Sequence, residues 1–191
     1  MPENTGFAEL PDDLPEPVDD GAADHLPGAK VPPVALRSTA GTTVDLSDLP
    51  GRTVVYCYPL TGRPDRDVVP AGWDEIPGAR GCTPQACAFR DRHAELRSLR
   101  ARVYGLSVQS TDYQREAKER LHLPFDLLSD ADLAFTRSLD VPTFTVEGQT
   151  YVKRTTLIVR AGRVEKVFYP VSPPDRNADE VIEWLKRHPL K

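Results

Sequence analysis

The chain is predicted to be an α/β fold, with one central sheet, part parallel and part antiparallel, and helices on both of its faces. Three observations predict it. The run Thr53-Val54-Val55-Tyr56-Cys57-Tyr58 is β-branched and aromatic with little polar alternation, as in a strand buried on both sides. Segments with strand and helix patterns alternate after it, and a hairpin signal follows late in the chain. Finally, 191 residues with 39% hydrophobic content can bury one full core.

In chain order, Met1 to about Pro33 is acidic and proline-rich, as in Leu10-Pro11-Asp12-Asp13-Leu14-Pro15-Glu16-Pro17. Such a stretch has little to bury against its ordering entropy. It is therefore expected to be a flexible arm (1–33), at most laid along the surface of a domain spanning 34–191, with residues 2–25 dispensable for activity and stability. Thr43 to Leu46 reads as a short strand, and Thr53 to Tyr58 as the central one, ended by Pro59. A helix is expected from near Thr83 to about Arg100, with Pro84 at an early position that tolerates a missing N–H. Phe89, His93, Leu96 and Leu99 form its inward stripe. Arg102 to Ser107 is the next strand, and Thr111-Asp112 cap a helix with Tyr113, Ala117 and Leu121 inward. Phe125 to Leu128 is extended, and Ser129-Asp130 open another helix carrying Leu133 and Leu139. Arg154 to Val159 and Val164 to Tyr169 form a hairpin around Arg160-Ala161-Gly162-Arg163. A last helix runs from about Asn177 to Lys186. This order matches a thioredoxin-like sheet.

Composition narrows the function. A formal net charge of −5 argues against a dedicated nucleic-acid surface. No stretch approaches the roughly 20 apolar residues needed to span a bilayer, so no membrane partner is expected. Met1 to Gly6 has neither a basic n-region nor an apolar h-region. Three cysteines are too few for a secreted disulfide scaffold, and a cytoplasmic location is expected. In that compartment a closely spaced cysteine pair is more often catalytic or metal-binding than structural.

That pair lies in Gly81-Cys82-Thr83-Pro84-Gln85-Ala86-Cys87-Ala88-Phe89-Arg90, between a strand and a helix. A thiol at a helix N-terminus meets unsatisfied N–H groups and the positive end of the macrodipole, which favour the thiolate. A second thiol nearby can trap the oxidised species formed from the first. Cys57, mid-strand between two tyrosines, reads as inert core. His25, His93, His122 and His188 lack paired ligand spacing, so no metal site is expected, and no phosphate-binding fingerprint implies a cofactor.

The segment Gly81-Cys82-Thr83-Pro84-Gln85-Ala86-Cys87, followed by Phe89-Arg90-Asp91, resembles the peroxiredoxins, and within them the bacterioferritin comigratory protein (type Q) group. The similarity continues through Leu127-Leu128-Ser129-Asp130 and Lys153-Arg154-Thr155-Thr156-Leu157-Ile158-Val159, from roughly Leu26 to the C-terminus. The resemblance implies a peroxidase acting on hydrogen peroxide and organic hydroperoxides. Cys82 would be the peroxidatic thiolate and Cys87 the resolving thiol, joined in an intramolecular disulfide that thioredoxin or a similar dithiol reduces. Arg154 would hydrogen-bond both the thiolate and the peroxide. Arg80 would either add positive potential or be a solvated loop residue. The protein would be a monomer or homodimer.

One departure stands out. The family places Thr or Ser three residues before the nucleophile and Pro four before that, where this chain has Ala79 and Glu75. Pro59-Leu60-Thr61 ends the strand instead, and 62–79 reads as an insertion. If it loops out and returns, Thr61 supplies the missing hydroxyl; otherwise it is an ordinary turn residue. Trp73 and Ile76 then either cover the site mouth or a reductant-binding surface, or simply pack. A thiol–disulfide oxidoreductase or redox sensor of the same fold is the alternative, but Cys-x-x-Cys is the usual spacing there, and four residues intervene here. A copper-binding relative would need Cys-x-x-x-Cys and a suitably placed His.

Two thiols five residues apart on one helix have Cα atoms about 8–9 Å apart. A disulfide accepts roughly 4.4–6.8 Å. The helix must therefore open before they can join.

Overall fold

A computed structural model describes residues 7–191; residues 1–6, with the leader reading of Met1 to Gly6, lie outside the described residues. In chain order the strands are β1 (Ala35–Ser38), β2 (Thr43–Asp45), β3 (Arg52–Cys57), β4 (Ala101–Ser107), β5 (Leu127–Ser129), β6 (Thr143–Val146), β7 (Gln149–Val152), β8 (Thr155–Arg160) and β9 (Arg163–Phe168). The helices are α1 (Cys82–Asp91), α2 (His93–Ser98), α3 (Thr111–Arg120), α4 (Ala134–Leu139) and α5 (Asn177–Arg187). Seven strands form one sheet in the order β2-β1-β5-β4-β3-β8-β9. β3 pairs in parallel with β4 and antiparallel with β8, and every one of its residues is buried. That is the mixed, thioredoxin-like sheet the element order predicts.

Two cores flank the sheet, because alternate residues of β3 face opposite ways. Val55 and Cys57 join one, with Leu36, Leu106, Leu128 and Phe135. Val54 and Tyr56 join the other, with Cys82, Phe89, Leu96, Val181 and Ile182. α1 is held on this second face by Phe89, whose ring stacks on Tyr56 with centroids 4.7 Å apart.

The structure corrects several local expectations. The helix read as 83–100 is two helices, broken where Arg92 (φ −99°, ψ 3°) leaves helical geometry and pairs with Asp179 of α5 at 2.8 Å. His93 and Leu99 are only half-buried, Leu99 against the core on the α1 side of the sheet and His93 with its ring 5.8 Å from that of Phe125. The cap of α3 is Ser110, whose hydroxyl accepts from the Tyr113 N–H, and Gln114 rather than Tyr113 is fully buried. α4 starts at Ala134, after Leu133 has adopted φ 61°; Asp130 anchors it by accepting from the Phe135 and Thr136 N–H groups at 3.0 and 2.8 Å. β1 and the β6–β7 hairpin were not anticipated. Both are short strands at the margins of the fold, with little continuous apolar pattern.

The arm takes the surface-laid arrangement. Residues 7–33 are laid against the domain, with Leu26 and Val31 fully buried and Ala23 nearly so. Asp20 accepts from the Tyr169 hydroxyl at 2.8 Å and Lys153 at 3.1 Å. Lys30 bridges to Arg163, extending the free edge of β9. A few apolar residues, spaced too widely to show a pattern, suffice to bind an acidic, proline-rich segment to this surface.

Candidate active site

Gly81 starts the site. Its backbone has φ 114°, and a Cβ there would lie 2.6 Å from Pro174 Cγ and 2.9 Å from Leu10 Cδ2. Glycine alone meets both demands. Cys82 follows as the first residue of α1, 4% exposed, at the helix end whose free N–H groups favour negative charge.

Arg154, just ahead of β8 rather than within it, is also 4% exposed. Its Nη2 lies 3.2 Å from Cys82 Sγ. The same nitrogen donates to the Ala79 carbonyl at 3.0 Å and the Arg80 carbonyl at 3.3 Å. Nη1 donates to Gln85 Oε1 at 2.6 Å. Gln85 Nε2 in turn donates to Asn177 Oδ1 at 3.1 Å, which also accepts from Thr156 Oγ1 at 2.7 Å. Ala79, Gln85, Arg154, Thr156 and Asn177 are all buried. No carboxylate pairs with Arg154 among the described residues, so its guanidinium faces the sulfur and neutral oxygens alone. Ala79, standing where the family pattern has a hydroxyl residue, contributes its carbonyl instead: it accepts from both Arg154 and the Cys82 thiol.

The sequence reading named Cys82 and Arg154 but missed Gln85, Asn177 and Thr156. A signal was available. Gln85 sits four residues before Phe89, on the inward face of α1, where an apolar residue is the default.

Cys87 is on the same helix and half-buried; burial pushes its thiol above the ordinary value. Cys57 is fully buried and its thiol is pushed strongly up by desolvation, as expected of a core residue. Arg80 pairs with Asp74 at 2.9 Å and does not contact the sulfur.

Thr61 is buried. Its N–H donates to Gln109 Oε1 at 3.1 Å and its carbonyl accepts from the Tyr113 hydroxyl at 2.6 Å. Arg120 donates to the next carbonyl, that of Gly62, at 3.0 Å. The chain is therefore fixed at this point, and segment 62–79 leaves and returns around it. Leu60 and Gly62, either side of Thr61, line a small cavity together with Cys82. No hydrogen bond joins the Thr61 hydroxyl to Cys82 among the described residues. Trp73 both packs and covers: it lines that cavity and lies 5.1 Å from Tyr151 and 5.6 Å from Phe144. A larger groove, about 360 Å³, includes Ile76 and Arg154 but not the sulfur.

Comparison with known proteins decides the family. The redoxin family model matches residues 26–182. The chain is 34% identical over 164 residues to peroxiredoxin Bcp of Bacillus subtilis, covering 83% of this chain and 94% of that one. The chain belongs to the peroxiredoxin Q/Bcp family. Peroxiredoxin Q of Sedum lineare, a chloroplastic protein, is 31% identical over 160 residues, covering 83% of this chain and 77% of the relative. Among solved structures, peroxidoxin BcpB of Mycobacterium tuberculosis superposes with a TM-score of 0.68 at 27% identity, over 85% of this chain and 98% of that one. Members of this family are thiol-dependent peroxidases, and the thioredoxin-like fold agrees with that membership.

Proposed function

We propose that Cys82 is the peroxidatic nucleophile of a peroxidase that acts on hydrogen peroxide and organic hydroperoxides. The observation that carries this is the 3.2 Å contact between Arg154 Nη2 and Cys82 Sγ in a buried site where Arg154 has no carboxylate partner. A guanidinium so placed favours the sulfur anion and can polarise a peroxide oxygen set against it. The thiolate attacks one oxygen, an S–O bond forms as the O–O bond breaks, and the departing oxyanion takes up a proton to leave as water or an alcohol. Cys82 becomes a sulfenic acid. Cys87 then attacks its sulfur, water leaves, and a Cys82–Cys87 disulfide forms. A dithiol of the thioredoxin type reduces that bond and is itself oxidised.

Thr61 is proposed to help seat the peroxide, since its neighbours border the cavity at Cys82 and its backbone is held by two side-chain groups, with a third on the next carbonyl. Segment 62–79 is read as an insertion that carries Trp73 to that cavity. A reducing, cytoplasmic location belongs to the same proposal, supported by three cysteines that are all free. The described residues contain no helix long and apolar enough to cross a membrane.

Peroxide consumption coupled to thioredoxin, thioredoxin reductase and NADPH tests the assignment. Wild type turns over, and Cys82→Ser falls to background, because an alcohol of far higher pKa cannot replace the thiolate. Substantial turnover by well-folded Cys82→Ser would assign the nucleophile elsewhere.

A further inference from the structure

The cavity at Cys82 is lined in part by a residue from the N-terminal arm. Phe7 lines it together with Leu60, Gly62, Trp73 and Thr83. The ring lies so close to the backbone that a Cβ on Gly62 would stand 2.5 Å from Phe7 Cε1. A residue without a side chain is therefore what lets the ring reach this position. The Arg80 guanidinium also lies over the ring, 5.2 Å from its centroid, and is itself anchored by Asp74. Further along the arm, Leu10 packs onto Gly81, at the N-terminus of the nucleophile's helix. Gly62 and Arg80 seat the Phe7 ring, and the cation–π contact adds to its apolar burial.

The consequence is a limit on size. With Phe7 in place the space beside Cys82 is about 10 Å³, enough for roughly one water-sized molecule. A hydrogen peroxide oxygen set against the sulfur asks for little more than this. An aryl or long alkyl group has no room unless the ring swings out, breaking its contacts with Gly62 and Arg80. We infer that Phe7 is a specificity-determining residue, closing the Cys82 cavity against bulky organic hydroperoxides while admitting hydrogen peroxide. The inference rests on Cys82 being the peroxidatic thiolate, and it narrows the substrate class of that site. Bulky substrates react only through the fraction of molecules with the arm displaced, which lowers their apparent rate by that fraction.

The experiment compares kcat/KM for cumene hydroperoxide and hydrogen peroxide in wild type, Phe7→Ala, Phe7→Leu and Phe7→Trp, with circular dichroism as a check on folding. The ratio of cumene hydroperoxide to hydrogen peroxide rises at least about tenfold in Phe7→Ala, on the scale at which pocket volume discriminates substrates. Phe7→Leu falls between Phe7→Ala and wild type, and Phe7→Trp lowers the ratio. A merely structural role for Phe7 changes both substrates in proportion and leaves the ratio fixed, which would overturn this inference while leaving the peroxidase standing. Absence of turnover with either peroxide in wild type would overturn both.

Discussion

Arg154 is the proposed electrostatic partner of the Cys82 sulfur. It is one of several arginines near the hairpin, yet it alone is buried and placed within hydrogen-bond distance of Cys82 Sγ. Its neutral partner Gln85 orients the guanidinium without competing for its charge. Arg154→Ala should therefore slow the attack on hydrogen peroxide by roughly 10²–10³-fold, the size of effect seen when one preorganised donor is removed from a reacting oxyanion. Stopped-flow oxidation of the reduced enzyme reads this directly, and wild-type kinetics would remove Arg154 from the site. Cys57→Ala should leave that rate nearly intact and cost only packing stability, because the Cys57 sulfur lies in the core on the opposite side of the sheet. The cysteine pair could be picked out because its motif joins residue type to spacing, and the proximity of Arg154 to Cys82 followed from the family resemblance. Gln85, Asn177 and Thr156 could not, because periodicity assigns polar residues to the solvent side and these three form a closed polar network inside.

Among the elements, the junction of the sheet with α5 provides a pH test. Arg52, the first residue of β3, donates to both oxygens of Glu165 on β9 at 2.8 Å and stacks over Trp184 of α5 at 5.1 Å. It also donates to the His188 carbonyl at the end of that helix. The Arg52 hydrogen bonds hold the Glu165 carboxyl below its ordinary value of 4.5, against the opposing effect of burial. A carboxylate with a lowered folded pKa stabilises the protein above its unfolded pKa and loses that contribution as pH falls through the folded one. Glu165→Gln should thus lower stability by about 1–2 kcal/mol at pH 7, a charged hydrogen-bonded pair discounted for partial exposure. The difference should shrink towards zero near pH 3. Urea unfolding at both values checks it; an equal loss at both would assign the effect to packing. The long buried strand and the last helix could be read from their patterns. β1 and β6–β7 could not, because short marginal strands carry too few residues to show a period.

At the scale of the whole molecule, the acidic arm and the nucleophile's helix form one assembly. Composition alone makes residues 2–25 dispensable, whereas Ala23, Leu10 and Phe7 are packed on the domain, the last two beside the active site. Their removal should lower the melting temperature by several degrees, as expected for a loss of about 1–2 kcal/mol in a chain of this size. An unchanged melting temperature by calorimetry would mean that these contacts contribute nothing. The arm was hard to read because lone apolar residues in a proline-rich stretch resemble a linker. The two thiols impose a larger rearrangement. Cys82 and Cys87 both lie on α1, where intact helical geometry holds their Cα atoms about 8–9 Å apart, beyond disulfide reach. Opening the first turns exposes Cys87, whose burial otherwise disfavours its thiolate, so the resolving step should quicken as pH rises above 7. Phe89, stacked on Tyr56, holds the rest of the helix to the sheet. The most direct test is peptide mapping by mass spectrometry of the wild-type protein after one equivalent of hydrogen peroxide. A Cys82–Cys87 disulfide with Cys57 left as a free thiol is the predicted result. Sulfenic or sulfinic acid at Cys82 beside an unmodified Cys87 would contradict it.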